Sequence, residues 1–399
     1  MITKSKSYRM SDSFQFSDPA IRLVRESDAE QIAKLFRLNY GNDYPHTDVF
    51  DGTWVKRCIY NDTNIGVVFE DQGAVVATGA VRLDYGDYND QIGELTRLVV
   101  HPDHARHGIG THVINALFEA AAANLEFSLG ECRTSHSFSQ RAFEEAGFAP
   151  IGFIPHLYFL GKVWENGVLY GKVYDTGRLL RSEARPSLIS EVAPIARTAL
   201  TGLGFTADFT VVNNAGSYPR DTLFFTRMVN RLSVATLAKI EYGGVLDPLL
   251  FGPVSLDQGY SLLNRRHVNY LSAHDENGLP LGGLGYQHDS RSQIVKGVQI
   301  IGKGDELRGH LCESLLKTGV SLGARIIEAN VSAYNPRLQK TLLELGFRPV
   351  AYSPAMVFHR TERLDVVKML KLNVPYQKPE MKLTERASEV VSMVEREFV

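Results

Sequence analysis

Residues 93–121 read GELTRLVVHPDHARHGIGTHVINALFEAA, and three local signals follow one another in this stretch. A strand rich in apolar residues runs to Val100, a polar loop carrying Pro102 follows, and a helix opens within Arg106-His107-Gly108-Ile109-Gly110. Ile109, Val113, Ala116, Leu117 and Ala120 fall on one helical face, so this helix packs on the sheet that the strand belongs to. A helix that starts inside a glycine-containing loop offers free backbone N–H groups and the positive end of its dipole, a place for a pyrophosphate. Gly108 and Gly110 keep Cβ atoms out of the ligand's path, while Arg106 and His107 add charge and hydrogen bonds. Taken alone, a G-x-G at a helix start is also what an ordinary tight turn looks like.

Working outward, residues 21–24 form a short strand, and residues 28–40 follow as a helix with Ile32, Leu35 and Phe36 on one face. A second short helix is expected over residues 53–60. Residues 65–70 and 74–83 read as strands joined by the turn Asp71-Gln72-Gly73. After the helix of residues 109–123 come a strand over 127–134 and a helix over 137–146, closed by Gly147. The order is a mixed α/β (α+β) one, with a crossover helix after the central strand.

The chain also repeats itself. Residues 135–151, SHSFSQRAFEEAGFAPI, align without gaps on residues 334–350, YNPRLQKTLLELGFRPV, at an offset of 199 residues, half the chain. A glutamine, Glu-x-Gly-Phe and a proline coincide. VVFEDQGAVVATGAVRLD, from Val67, pairs more loosely with YLSAHDENGLPLGGLGYQHD, from Tyr270. The expected organisation is a flexible tail over residues 1–18, a catalytic domain over 19–160, connecting strands over 161–187, and a second, degenerate domain over 188–375. EARPSLISEV, residues 183–192, is expected to start that domain's first helix. A tail with an amphipathic helix fills 376–399. Ala387, Val390, Val391, Val394 and Phe398 share one face of that helix, which should dock on the body or on a partner subunit.

Composition sets limits. At 399 residues the chain exceeds what one core comfortably serves, and 44% apolar with 22% charged residues is ordinary globular usage. A net charge of -2 with Lys and Arg spread along the chain argues against nucleic acid as a partner. No long apolar run exists to span a membrane, and the first eighteen residues lack the apolar segment of a secretion signal, so a cytoplasmic location is expected. Cys58, Cys132 and Cys312 are too few and too scattered for a disulfide framework or a metal site.

The run from Leu98 to Gly110 resembles motif A of the GNAT (N-acetyltransferase) superfamily, and Gly147-Phe148 resembles the close of its motif B. The resemblance covers residues 21–158. Together with the repeat it implies two tandem GNAT acyl-CoA N-acyltransferase folds, each a mostly antiparallel sheet flanked by helices. It implies acetyl-CoA, or another acyl-CoA, as co-substrate and no metal. Backbone groups of Leu98, Val99 and Val100 would pair with the pantetheine amides. The loop of Ala105, Arg106, His107, Gly108, Ile109, Gly110 and Thr111 would wrap the pyrophosphate, with His136 where many members carry an asparagine. Two departures stand out: Ala105 replaces the usual Arg or Gln, and Phe143 occupies the position of the usual tyrosine acid.

Amine acylation needs a base, because only the neutral amine attacks a thioester. Glu94 is the candidate, sharing its side-chain direction with Thr96, Leu98 and Val100 because strand residues alternate faces. The competing reading is a strand-edge glutamate paired with a surface cation. For the acid that protonates the departing thiolate, Tyr158, Cys132 and His136 are the replacements on offer, and Cys132 also reads as a small buried thiol. The segment after the first helix gathers Tyr40, Asp43 and Tyr44, with His46 and Asp48, as a pocket for a polar amine.

The second copy keeps the scaffold but reads GKGDELRGHLCESLL from Gly302 where the pyrophosphate loop should be, with Leu307 opposite Gly108. A register shift would put Arg308-Gly309 at a helix start; otherwise this copy is silent and lines the acceptor groove. The function implied is acyl transfer, acetyl in the first instance, to a primary amine of a small molecule or peptide. The alternatives are a silent acyl-CoA-binding regulatory or scaffold protein, and a decarboxylase or hydrolase using Thr134 and His136. A homodimer is compatible with either.

Overall fold

In a computed structural model, the structure describes residues 14–42, 44, 47–61, 63–83, 85–86, 90–121, 125–160, 163–220, 223–228, 249–253, 267–302 and 304–399. The chain begins with β1 (Ile21–Leu23), α1 (Ala29–Tyr40) and α2 (Gly52–Ile59). Asp28, buried ahead of α1, is held by Arg22 at 2.7 Å, and Asp51 caps α2 by accepting from the Thr53 amide. β2 (Asn64–Asp71) and β3 (Ala74–Arg82) form a hairpin whose turn residues Gln72 and Gly73 both have positive φ, the geometry that follows strand twist. β4 (Ile92–Val100), α3 (Ile109–Ala121), β5 (Phe127–Arg133) and α4 (Phe138–Glu145) follow as the sequence predicts. Val113, Ile114 and Leu117 of α3 are wholly buried against the sheet.

β6 (Ala149–Leu160) and β7 (Val163–Val173) complete the first half. β7 was expected as a connecting strand; it instead lies between β5 and β6 in the sheet, antiparallel to both. Next come α5 (Asp175–Leu179), the short β8 (Ser187–Leu188), α6 (Ala193–Gly202) and β9 (Thr210–Val211). α6 starts later than expected because residues 187–189 are extended and engaged by Gln339. β10 (Phe225–Met228), β11 (Val268–His274), β12 (Pro280–Asp289), β13 (Ile294–Gly302), α7 (Asp305–Ser321), β14 (Ile326–Ser332), α8 (Pro336–Glu344), β15 (Arg348–His359), β16 (Glu362–Leu372) and α9 (Glu385–Glu395) complete the chain.

Fourteen of the sixteen described strands form one sheet in the order β1-β2-β3-β4-β5-β7-β6-β15-β16-β14-β13-β12-β11-β10, and β8 and β9 pair apart from it. Read from either edge the connectivity is the same: a hairpin, a third antiparallel strand, a parallel step across a helix, then an inserted last strand. The halves meet where Gly152 of β6 opposes Ala351 of β15, and a side chain on Gly152 would fall 2.2 Å from the Ala351 Cβ. Arg363, from the second half, is wholly buried and reaches Asp90 at 2.8 Å and Glu126 at 2.6 Å in the first. Arg325, at the position 199 residues beyond Glu126, lies 3.5 Å over the ring of Trp164, the residue 199 before Arg363. Ala387, Val390, Val391 and Val394 of α9 are buried and Phe398 is partly so, as the periodicity predicts. No described helix is long and apolar enough to cross a membrane.

Candidate active site

β4 and β5 run parallel but are paired at four positions, from Ile92 opposite Phe127 to Leu95 opposite Gly130. Beyond Leu95 they part. A parallel pair that separates leaves N–H and C=O groups facing the gap from both sides, and these need a partner. Among the described residues no other segment of the chain enters this gap.

β4 carries one extra residue where it parts from β5. Ala80 opposes Thr96 but Thr78 opposes Val99, and Arg97 takes φ 58, so β4 is bulged there. The bulge reverses the faces of everything beyond it. Leu98 and Val100 point at α3, close to Gly110, whereas Val99 packs with α1 and α2. Glu94 and Thr96 lie on the same face as Val99. The expectation that Glu94 shares a side with Leu98 and Val100 is therefore corrected: the strand is not regular, and Glu94 faces away from α3.

The loop after β4 has the predicted character. Gly108 at φ 75 and Arg106 at φ 69 are left-handed, which turns the chain sharply into α3. The His112 amide donates to the Gly108 carbonyl at 3.2 Å, but no described protein group accepts from the amides of Arg106, His107, Gly108, Ile109, Gly110 or Thr111. Ala105, without a side chain to donate, follows the short turn of Pro102–His104. The Arg106 guanidinium lies 5.8 Å over Phe138, whose ring stacks at 5.5 Å on His136. The loop and the start of α4 thus flank the mouth of the gap. Burial, then the charge of Arg133, holds the His136 imidazole below its ordinary value. Thr111 donates to Glu145 at 2.8 Å, placing a carboxylate beside the loop.

On the other face of the sheet a cluster of polar groups surrounds the point where the strands divide. Glu94 is ion-paired with Arg82 at 2.7 Å. Glu131, one residue past the last paired position of β5, accepts from the Tyr158 hydroxyl at 3.2 Å. Burial, followed by the neighbouring Glu94 charge, pushes the Glu131 carboxyl above its usual range, and Lys296 and Lys368 oppose that shift. Tyr158 lies within β6, and burial followed by the Glu131 charge holds its hydroxyl protonated. Arg133 is held by Glu165 at 2.7 and 2.5 Å and meets the Tyr40 hydroxyl. Tyr44 packs 4.8 Å from Tyr40 and feels the charges of Arg97 and Glu94. Arg97 itself lies 4.6 Å over Trp54, fixing α2 above the cluster. Asp43 and His46 lie outside the described residues, and Asp48 lies in the short turn of Thr47–Phe50 ahead of α2.

One predicted residue leaves the site, and the position where the usual acid is missing lies in the core. Cys132 is 1% exposed and faces Ser139 of α4, on the opposite side of β5 from Glu131, so its thiol does not reach the cluster. Phe143 is packed beneath Gly130, where a Cβ would meet its ring at 2.2 Å. Glu131 was missed by sequence reasoning. Its signal was present: with Arg133 it is one of two charged residues in an otherwise uncharged strand, FSLGECR, at the spacing that shares a face.

The second half has the same four-pair parallel step, from Ile294 opposite Ile326 to Gly297 opposite Ala329. Its gap is filled. The Phe251 amide donates to the Asn330 carbonyl at 2.9 Å, the Ser332 amide donates to Leu249 at 3.1 Å, and Leu250 bridges Val331. Gly252 lies so close to Val298 that a Cβ would meet it at 2.5 Å. Two residues separate β13 from α7, against eight between β4 and α3, and Asp305 and Glu306 occupy the first turn. Gly309 lies inside α7 against the Pro219 carbonyl, so the register shift that would put Arg308-Gly309 at a helix start does not occur. Lys296, third of the four paired residues, stands where Glu94 stands in β4.

Residues 29–148 match the model of the "Acetyltransferase (GNAT) family". No curated protein matches the chain. Among solved structures, ribosomal-protein-S5-alanine acetyltransferase from Vibrio fischeri is 18% identical, with 40% of this chain and 96% of that one covered and a TM-score of 0.35. The yncA protein from Salmonella typhimurium, solved with its cofactor acetyl-CoA, is 16% identical over 39% and 93%, with a TM-score of 0.36. Aminoglycoside 6'-N-acetyltransferase from Enterococcus faecium is 18% identical over 38% and 96%, with a TM-score of 0.31. It is residues 29–148, in which the strand, the left-handed loop and the helix behind it are laid out as described, that carry the likeness to the acetyltransferase (GNAT) family.

Proposed function

We propose that the first half transfers an acyl group, acetyl in the first instance, from acyl-CoA to a primary amine of a small molecule or peptide, and that the second half is silent. The observation that carries this reading is the gap between β4 and β5, with unsatisfied amides at one end and carboxylates on the far face of its apex. A pyrophosphate would lie at the amides of Arg106 to Thr111, and the pantetheine would add as a strand along Leu98, Val99 and Val100. Its thioester then arrives where the sheet is open to both faces. The amine approaches from the side of Tyr40 and Tyr44, loses a proton, and attacks the thioester carbonyl; the C–S bond breaks and the thiolate is protonated.

Of the two carboxylates, Glu131 has the better environment for the base. Glu94 is committed to Arg82 at 2.7 Å, whereas Glu131 is met by a neutral hydroxyl and raised by burial. Tyr158, protonated and hydrogen-bonded to Glu131, is the group placed to pass a proton on to the thiolate. In the second half the filled gap, the short loop, the acids at the helix start and Lys296 at the Glu94 position each oppose the same chemistry.

A scaffold reading has support of its own in Ala105 and Phe143, which lack the donor and the hydroxyl that the resemblance leads one to expect. Titration calorimetry of the full chain with acetyl-CoA, beside Gly108→Asp/Gly110→Asp, separates the readings. Binding near one equivalent, lost in the double variant, together with CoA release across an amine panel supports acyl transfer. Binding without release for any amine favours the scaffold, and absence of binding sinks both.

A further inference from the structure

The site faces the second half across a cleft, and the wall opposite is cationic. Lys296 and Lys368 both lie 3.2 Å from one oxygen of Glu328, so two ammonium groups share a single carboxylate. Glu328 keeps 6% of its side chain exposed and Lys368 10%, but Lys296 keeps 45%. The excess positive charge is thus carried by the more accessible of the two side chains. Arg291, in the turn between β12 and β13, donates to the Thr47 hydroxyl ahead of α2 at 3.1 Å, which brings the wall carrying Lys296 against the acceptor side of the first half; across this space Lys296 feels the charges of Glu131 and Tyr85, and Tyr85 feels that of Glu94. Asp289, the other acid that Lys296 feels, is already held by the amides of Arg291 and Ser292.

From this juxtaposition we infer that the acceptor is a primary amine that also carries an anionic group, its ammonium end received by Glu131 and its anion by Lys296, with Lys368 behind it. The inference rests on the acyl-transfer reading of the first half and narrows its substrate class. A neutral or polycationic amine would leave the Lys296 ammonium facing the incoming charge. A charge-assisted contact to a carboxylate or phosphate answers it instead. A register position that holds a carboxylate in one half and a lysine in the other gives a single cleft two poles, which suits a dipolar ligand.

The test uses the full chain and matched pairs of probes: β-alanine and its amide, γ-aminobutyrate and its amide, aminoethyl phosphate and ethanolamine. Affinity is read by calorimetry in the presence of CoA, so the anion site is measured whether or not transfer occurs, and CoA release is followed separately with acetyl-CoA. The anion-bearing member of at least one pair should bind roughly ten- to a hundred-fold more tightly. That ratio should fall towards one in Lys296→Met and be retained in Lys296→Arg, with thermal melting used to confirm that both variants are folded. Preference for carboxylate over phosphate, or the reverse, identifies which anion fits. Equal binding within every pair, or a ratio that survives Lys296→Met, overturns the inference. A ratio that behaves as expected without any CoA release would leave the anion site standing and sink acyl transfer.

Discussion

Gln140 and Gln339, 199 residues apart, each clamp a backbone segment that arrives from far along the chain, residues 382–384 and 187–189. Both are wholly buried. The Gln140 amide donates to the carbonyls of Arg133 and Lys382 and its oxygen accepts from the Thr384 amide. The Gln339 amide donates to Ser332 and Ser187 and its oxygen accepts from Ile189. The chain leaving each half is therefore fastened to the helix of the other.

This exchange makes the two halves one folding unit. Gln140→Ala or Gln339→Ala strands buried backbone groups and is expected to cost about 1–3 kcal/mol per group left unpaired. Denaturant unfolding followed by probes in each half should stay a single coincident transition in both variants. Two separated transitions would mean that the halves fold independently.

Arg363 supplies a second prediction at the seam. Removing it as Arg363→Met leaves Asp90 and Glu126 buried without their cation, a loss of roughly 3–5 kcal/mol. The triple change Arg363→Met/Asp90→Asn/Glu126→Gln removes the stranded charges and should regain much of that loss. If the single and triple variants melt alike, desolvated charge is not what the arginine relieves.

For the chemistry, Glu131→Gln should lower kcat by about 10²- to 10⁴-fold with a smaller change in KM for the amine, the usual range for loss of a general base. A base acts when ionised, so activity should fall as pH drops through the carboxyl's pKa. Because burial and Glu94 raise that pKa, the acid limb should lie above the ordinary carboxylate range and disappear in the variant. Glu94→Gln should change the rate less. The reverse ranking would return the base to Glu94.

Restoring the tyrosine that the resemblance leads one to expect should not help. Phe143 is 4% exposed beneath Gly130, and a hydroxyl added there must find a partner in the core. Phe143→Tyr is expected to destabilise by about 1–3 kcal/mol without raising kcat. A faster enzyme would show that α4 can turn this ring into the gap.

Much of this architecture is legible in the sequence because its signals are local. The strand, loop and helix of residues 93–121 announce themselves through periodicity and Gly108, and Gln140 and Gln339 give away the repeat. What is not legible depends on a single extra residue or on contacts far apart in the chain. The bulge at Arg97 reverses the faces beyond it, which alternation alone cannot foresee. The insertion of β7 between β5 and β6, and the arrival of residues 249–251 in the second gap, are matters of topology. Glu131 was overlooked for a different reason: its importance lies in where β5 leaves β4, not in its neighbours in sequence.

The pairing of Glu94 in β4 with Lys296 in β13 has a consequence for heredity. Two separate copies of one chain, related by symmetry, must carry the same residue at both places, and any change made at one is made at the other. Joined in one polypeptide, the two positions are free to mutate apart, so one can abandon a reaction while the other keeps it. The opposed charges at these two registers are a difference that a symmetric pair of identical chains has no means to encode.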